Sequence, residues 1–237
     1  MRSLCLLLSF DVYLLTSGCS SPEVKSDEAA ECEFRQIEES IRNVKTLSVR
    51  VRVDHAEEGE IPWLTTVSTI SVGRGNRSSF ADDLETVSAG WHHRLLSDGS
   101  RVQCTTAPGK PFARVAPDEL RNSLIAMISR TRVAHWNPVS PVLWGDVPAH
   151  RFAESFSISS VRSGAATEQA RELTYVIRVG SGALDRQECS LWYDPKTLRI
   201  FRRIFRNKVA RILITETYEE FAAGVAIPDE FFRLSTK

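Results

Sequence analysis

The feature that most constrains the fold is the alternation of apolar and polar residues in the last quarter of the chain. Residues 189–194 read Cys-Ser-Leu-Trp-Tyr-Asp, which is the period-two pattern of a β-strand with one buried face. Pro195 follows directly, and proline pre-sets the backbone for a tight turn. Residues 198–205 and 212–221 are two further strand-like segments, because they are rich in Ile, Phe, Thr and Tyr. This order predicts an antiparallel meander.

A helix followed by a strand is predicted near the start of the chain. Apolar residues recur at steps of three and four within residues 31–45, which indicates an amphipathic helix with Phe34, Ile37, Ile41 and Val44 on its buried stripe. The period then changes to two, so that one face of a strand carries Leu47, Val49, Val51 and Val53. These four side chains are expected to point into the core.

The middle of the chain adds strands and one more helix. Residues 63–73 and 173–179 read as strands, and residues 91–105 read as a hairpin that turns at Asp98-Gly99. A helix is expected to open at Pro117-Asp118-Glu119 and to end near Arg130 or Arg132, with an apolar stripe formed by Leu120, Leu124, Met127 and Ile128. The residues after it, 133–148, contain three prolines together with Trp136 and Trp144. This segment is too broken for a regular element and too apolar to lie in water, so it is either a lid over an apolar cavity or an irregular plug in the core.

The tail of the chain carries a family resemblance. Trp192-Tyr193-Asp194-Pro195-Lys196-Thr197 is followed by an arginine-rich strand, a Thr/Tyr strand and Ile227-Pro228-Asp229-Glu230-Phe231. The turn at Pro228 is expected to tuck Phe231 and Phe232 inward. This order resembles the lipoprotein carrier LolA and its relatives, the acceptor LolB and the stress-sensing domain of RseB. Leu95–Gly99 also resembles a stretch that recurs in this superfamily.

The resemblance implies a fold and a kind of site. The fold is mainly β (α+β), a single half-open antiparallel β-barrel whose N-terminal and mid-chain helices cover an apolar cavity for acyl chains. Residues from the predicted strands, from the mid-chain helix and from the proline-rich segment are then candidates for the cavity and its lid. They are Val49, Val51, Leu124, Met127, Trp136, Trp144 and Tyr175.

The first residues predict export and lipid anchoring. An apolar run leads to Leu15-Thr16-Ser17-Gly18-Cys19, where small residues precede a cysteine as a lipoprotein signal peptidase requires. Asp11 and Thr16 depart from the usual pattern, so a plain secretory signal remains the alternative. The expected organisation is a signal peptide over 1–18, a polar tether over 19–30 with Cys19 as the lipid-attachment residue, and one domain over 31–237. The expected location is the bacterial cell envelope, facing the periplasm and anchored in the outer rather than the inner membrane.

Charge and motifs argue against several functions. The chain has 30 basic and 30 acidic residues, so it lacks the excess of positive charge that a nucleic-acid-binding protein uses to contact phosphates. The five histidines show no metal-ligand spacing, and no catalytic or nucleotide-binding motif occurs. The acidic pairs at 57–60 and 82–83 read as solvated loops. No enzyme activity, metal or cofactor is therefore expected. Of the cysteines outside the signal, Cys32, Cys104 and Cys189 leave the disulfide state open.

Two non-enzymatic functions follow. In the first, an envelope lipoprotein binds lipid or lipoprotein acyl chains in the half-barrel and acts in their transfer or acceptance. In the second, an RseB-like envelope sensor or scaffold uses its surface to bind a protein partner. An acylated Cys19 would hold the chain at a membrane, which fits an acceptor or a sensor better than a soluble shuttle.

Overall fold

The computed structural model describes residues 25–84, 92–106, 112–116, 118, 120–130, 157–178 and 186–234. Within these ranges the chain forms two α-helices, eleven β-strands and one short 3-10 helix. In chain order they are α1 (Glu28–Arg42), β1 (Leu47–Glu57), β2 (Leu64–Val72), β3 (Arg77–Leu84), β4 (His92–Asp98), β5 (Arg101–Thr106), β6 (Phe112–Val115), α2 (Leu120–Ser129), β7 (Ser157–Ala166), β8 (Arg171–Arg178), β9 (Arg186–Tyr193), β10 (Ile200–Asn207), β11 (Ile212–Ala223) and the 3-10 helix (Asp229–Phe232).

All of the described strands belong to one antiparallel sheet. Its spatial order is β6-β5-β4-β3-β2-β1-β11-β10-β9-β8-β7. The N-terminal meander, β1 to β6, joins the C-terminal meander, β7 to β11, where β1 pairs with β11. The outermost strands, β6 and β7, are not paired with each other, so the sheet is open. Together with the two helices, this arrangement confirms the predicted mainly β, half-open antiparallel fold.

The strand at the centre of the sheet matches its sequence pattern. Leu47, Val49, Val51 and Val53 on β1 are fully buried, whereas Arg50 between them is exposed. The register between β1 and β11 shifts between Arg50 and Val51, because β11 has one extra residue there, Glu219. Such a bulge bends and twists the strand that contains it, which is β11, and leaves the alternation of β1 intact. The inward face that the alternation predicts is therefore confirmed.

Helix α1 begins three residues earlier than the sequence pattern predicts. The Asp27 side chain accepts a hydrogen bond from the backbone N–H of Ala29 at 3.0 Å, which is the interaction of an N-cap residue. The helix ends at Arg42, because Asn43 takes the C-cap position. Its apolar stripe, including Phe34, Ile37 and Ile41, is buried as expected.

Helix α2 is buried on nearly all sides. Its buried residues include Leu124 and Met127, and also Ser123 and Ser129. A helix that lacks a polar face must be enclosed by other elements, and α2 packs against α1, β2 and β3. The main apolar core thus lies between the two helices and the face of the sheet that they cover, which is called the concave face below.

Three strands were missed by the sequence patterns. β6 has only four residues, and β7 at the sheet edge is mostly polar and exposed, so neither shows an apolar period. β3 pairs with both β2 and β4. Asp82 and Asp83 belong to this strand, where they pair with residues of both β2 and β4. The expectation that these two residues lie in a loop is therefore wrong.

The tail is folded inward in part. Phe232 is buried, but Phe231 is 50% exposed, so the expectation that both phenylalanines point inward is wrong. The 3-10 helix turns the two rings in different directions. Phe232 lies so close to Gly73 that a Cβ atom on that glycine would be 2.7 Å from Phe232 Cε2.

Candidate ligand-binding face

The concave face collects the apolar residues that the sequence suggested for a cavity. Val49 and Val51 reach it from β1, Leu124 and Met127 from α2, and Tyr175 from β8. Each of these five side chains is 0–2% exposed, and all belong to one apolar cluster. Residues that are far apart in sequence therefore meet between the helices and the sheet.

Three other candidates cannot be placed on this face. Trp136 and Trp144, the suggested lid residues, and Cys19, the suggested lipid-attachment residue, lie outside the described residues. The signal peptide over 1–18 and the first part of the tether also lie outside them.

In the described part of the chain, the side chains of the apolar cluster are buried against one another. Grooves of about 850, 510 and 320 Å³ occur in the described part of the chain, and charged and polar residues contribute much of their lining. The smallest of the three borders Tyr175. A ligand that is to be buried among the described residues of the cluster therefore has to displace some of their mutual contacts.

A buried ion pair lies on the C-terminal half of the same face. Arg203 on β10 and Glu216 on β11 are both fully buried, and Arg203 Nη1 lies 3.6 Å from Glu216 Oε2. The hydroxyl of Tyr218 donates a hydrogen bond to Glu216 Oε2 at 2.9 Å. Because two buried charges lose their hydration, such a pair is tolerated only when further hydrogen bonds compensate.

Part of this compensation comes from α2. Arg203 Nη2 donates hydrogen bonds to the carbonyl oxygens of Ile128 at 2.8 Å and Ser129 at 3.4 Å. The last carbonyls of a helix lack partners within the helix and carry partial negative charge. The guanidinium of Arg203 therefore ties the end of α2 to the sheet.

A second polar contact ties the helices to each other. Arg130, just after α2, donates from Nε to Glu38 Oε1 on α1 at 2.5 Å. The Glu38 side chain is almost completely buried, whereas that of Arg130 is partly exposed. One turn earlier on the same side of α1, Phe34 packs against Tyr175 with ring centroids 4.9 Å apart. The two helices are thus held by an apolar contact with the sheet and by a few polar ties.

Burial and neighbouring charges shift the pKa values of Tyr175, Tyr218 and Arg203 on this face. Burial raises the pKa of both Tyr175 and Tyr218, although nearby Arg203 acts in the opposite direction. Burial alone would lower the pKa of Arg203, but Tyr175, Tyr218 and Glu216 beside it raise that pKa above its ordinary value. All three shifts favour neutral tyrosines beside a charged arginine.

The sequence patterns did not identify Arg203 as an inward residue. Regular alternation from the buried Ile200 would turn Arg202 inward and Arg203 outward. A β-bulge between Ile200 and Arg202 in the pairing with β9 reverses this phase, so Arg202 lies over the ring of Trp192 on the other face. The consecutive arginines in an apolar strand were the available signal, since one of them has to face the core side.

The described residues carry neither a metal cluster nor a membrane-spanning helix. No group of three or more His, Cys, Asp or Glu side chains among them is placed to hold a metal ion, and no described helix is long and apolar enough to cross a membrane. Cys32 is exposed, Cys104 and Cys189 are buried, and no disulfide bond joins any two of them.

Comparison with known proteins finds similarity at the level of structure. No protein-family model and no curated protein matches the sequence. A LolA superfamily protein from Nitrosomonas europaea aligns over 86% of this chain and 97% of its own, with a TM-score of 0.36 and 10% identity. The lipoprotein LppX from Mycobacterium tuberculosis aligns over 83% of this chain and 96% of its own, with a TM-score of 0.42 and 13% identity. The MucA/MucB complex of Pseudomonas aeruginosa aligns over 87% of this chain and 61% of its own, with a TM-score of 0.40 and 11% identity. The superfamily that the tail motif resembles is among these matches. At such TM-scores and identities, function has to be argued from the residues of this chain.

Proposed function

We propose that this protein binds the acyl chains of lipids or lipoproteins on the concave face of its half-open barrel and acts in their transfer or acceptance. The observation that carries the proposal is the convergence of Val49, Val51, Leu124, Met127 and Tyr175 in one apolar cluster between an open sheet and two helices. An open sheet allows its covering helices to move without breaking any strand pairing.

The exchange of helix contacts for ligand contacts provides the driving force. When α1 and α2 move away from the sheet, the apolar residues on both sides of the cluster lose their partners. An acyl chain entering this space restores the burial, and each buried methylene contributes about 0.8 kcal/mol. The polar ties, Arg203 to the end of α2 and Arg130 to Glu38, oppose the movement and keep the face closed when no ligand is present.

The proposed location follows from the start of the chain. We infer that Cys19 is acylated and holds the protein at the periplasmic face of a bacterial envelope membrane, the outer membrane in particular. Incorporation of a clickable palmitate in a bacterial host tests this inference, with Cys19→Ala as the control. Equal labelling of the two proteins, or none in either, would contradict lipid attachment at Cys19.

The binding proposal is tested with an environment-sensitive apolar probe and a series of fatty acids. The probe should bind at a saturable site and be displaced by acyl ligands, with affinity that rises with chain length and then levels off when the site is full. A folded protein without saturable probe binding, or with affinity indifferent to chain length, would exclude this function. The sensor or scaffold with a protein partner would then be the better hypothesis.

A matched pair of variants tests whether the helices gate the site. Glu38→Gln with Arg130→Gln removes the charged tie between α1 and α2, and it should accelerate probe entry. Arg50→Gln with Glu219→Gln removes an exposed ion pair of 2.9 Å on the other side of β1 and β11, and it should leave the entry rate unchanged. Equal rates in both variants would show that the helix tie does not control access.

A further inference from the structure

A basic groove lies at one end of the barrel. It has a volume of about 850 Å³ and is formed where α1 ends, where α2 begins and where the turn after β2 approaches them. Its lining includes four cationic side chains and one carboxylate, namely Arg42, Lys45, Arg74, Arg121 and Asp118. This local excess contrasts with the balanced charge of the whole chain.

The positive charge of the groove is not neutralised by the described protein. Many arginines elsewhere form ion pairs, as Arg50 does with Glu219 and Arg77 does with Asp229. Within the described part of the chain, Arg42, Lys45, Arg74 and Arg121 have no carboxylate within ion-pair distance. Four cationic side chains against one carboxylate, Asp118, leave an excess of positive charge around this surface, and an anionic ligand relieves the repulsion among the cations.

Arg121 is fixed in position by neutral partners. It is half-buried, its Nε donates to the carbonyl oxygen of Gly73 at 3.3 Å, and its Nη2 donates to the carbonyl oxygen of Val44. Burial lowers its pKa, and both of these hydrogen-bond partners are uncharged carbonyl groups. Carbonyl contacts therefore orient the guanidinium without neutralising it, so it remains able to attract an anion.

The groove is well placed for the head group of a ligand on the concave face. Both α1 and α2 cover that face, and the groove lies at the end where the last turn of α1 and the first turn of α2 come together. An acyl chain held between the helices and the sheet can therefore extend its polar end into the groove.

We propose that this groove binds the phosphate of a phospholipid head group, so that the protein selects anionic lipids with a phosphate group. Arginine and lysine together are suited to this, because arginine donates several hydrogen bonds to phosphate oxygens and lysine adds a compact charge. This proposal rests on the proposed acyl-chain binding, which it extends to a class of lipid.

The test compares two ligands that differ only in the phosphate. Myristoyl lysophosphatidic acid and monomyristoylglycerol are used to displace the apolar probe from the full chain. The phosphate-bearing lipid should displace the probe at a roughly tenfold lower concentration, as expected for one or two charge-assisted hydrogen bonds, and the preference should weaken as salt is added. Equal displacement by the two lipids would overturn the head-group proposal while leaving acyl-chain binding intact.

Charge-reversed variants locate the site. Lys45→Glu with Arg74→Glu changes two exposed groove residues, and it should remove the preference for the phosphate-bearing lipid without lowering the affinity for monomyristoylglycerol. Lys196→Glu with Arg199→Glu makes the same change in the exposed turn between β9 and β10 and should retain the preference. A preference that survives in the groove variant, or that is lost equally in both variants, would overturn the assignment. Melting curves of both variants establish that each is folded.

Soluble anions distinguish the source of the phosphate and separate the two proposals. If the chain binds no apolar probe, acyl-chain binding fails, and the groove is judged by calorimetry with glycerol phosphate and inorganic phosphate alone. If wild type binds one of these anions and Lys45→Glu with Arg74→Glu does not, the groove is an anion site for a soluble phosphate. That result would overturn the lipid head group as its ligand. Absence of binding to both anions would overturn the phosphate site altogether.

Discussion

The two halves of the concave face are stabilised in different ways. The half formed by the N-terminal meander carries apolar side chains and small hydroxyls, with Val49, Val51 and Ile70 fully buried. The half formed by the C-terminal meander contains a buried ion pair, Arg203 with Glu216. The first half depends on apolar burial, whereas the second combines burial with a polar network whose parts depend on one another.

This difference has a consequence for how the face could open. Apolar surface accepts any hydrocarbon of suitable size, since burial is not directional. The polar half, in contrast, binds one particular element, because Arg203 contacts the carbonyl oxygens of Ile128 and Ser129. We infer that the apolar half provides the contact area for a ligand and that the polar half determines the resting position of α2.

The largest expected effect comes from placing a charge in the apolar half. Val51→Asp removes a fully buried side chain from the centre of β1 and leaves an unpaired carboxylate there. The loss should be about 4 kcal/mol or more of unfolding free energy, which is a large fraction of the stability of a typical domain, about 5–15 kcal/mol. Arg50→Asp is the control on the opposite face, where it breaks an exposed ion pair that contributes at most about 1 kcal/mol. Urea denaturation measures both, and similar losses would show that β1 is not buried on one side only.

A smaller but more informative effect is expected in the polar half. Arg203→Met leaves Glu216 buried without its cation, and it should lower the unfolding free energy by about 3–5 kcal/mol. The double variant Arg203→Met with Glu216→Leu removes both charges and should recover most of this loss. If the double variant is no more stable than the single one, the two side chains do not act as a pair, and the contrast between the halves fails.

Sequence reasoning succeeded where side-chain period and burial agree. In β1 and β9 the alternation is complete, so the residue pattern alone places Val49, Val51 and Leu191 on the inner face, where all three are buried. The hairpin after β9 was also predicted, because Asp194 and Pro195 favour a turn. Asp194 accepts hydrogen bonds there from the backbone of Lys196 and the side chain of Thr197.

The polar half could not be predicted in the same way. The inward position of Arg203 depends on a bulge in β10, and a bulge changes the phase of every later residue in a strand. The partners Glu38 and Arg130 are 92 residues apart, and nothing local indicates that they meet. The basic groove likewise unites cationic residues from three separate regions, and it is visible only once the end of α1, α2 and the turn after β2 are packed together.

Two tyrosine substitutions test the polar network with opposite expected signs. Tyr218→Phe removes the hydrogen bond to Glu216 and should destabilise the protein by about 1–3 kcal/mol. The hydroxyl of Tyr175 is buried without a hydrogen-bond partner among the described residues. Tyr175→Phe should therefore be neutral or stabilise by about 1 kcal/mol. Thermal melting of the two variants distinguishes these outcomes, and a loss at Tyr175 as large as that at Tyr218 would mean that its hydroxyl also has a partner.

The smallest expected effect concerns a thiol in the apolar half. Burial raises the pKa of Cys104 on β5 from its ordinary value of 9.0 to about 11, and Arg114 opposes this shift only in part. The pKa of the thiol is higher in the folded than in the unfolded protein, so the folded state binds this proton more tightly. The contribution of Cys104 to the unfolding free energy is therefore complete below pH 9 and is lost as the pH rises towards 11. The difference in unfolding free energy between wild type and Cys104→Ala should therefore shrink over this range. Cys32→Ala, at an exposed position, should show no such change. A difference for Cys104→Ala that stays constant from pH 8 to 11 would mean that water reaches this half of the face even when the helices are closed.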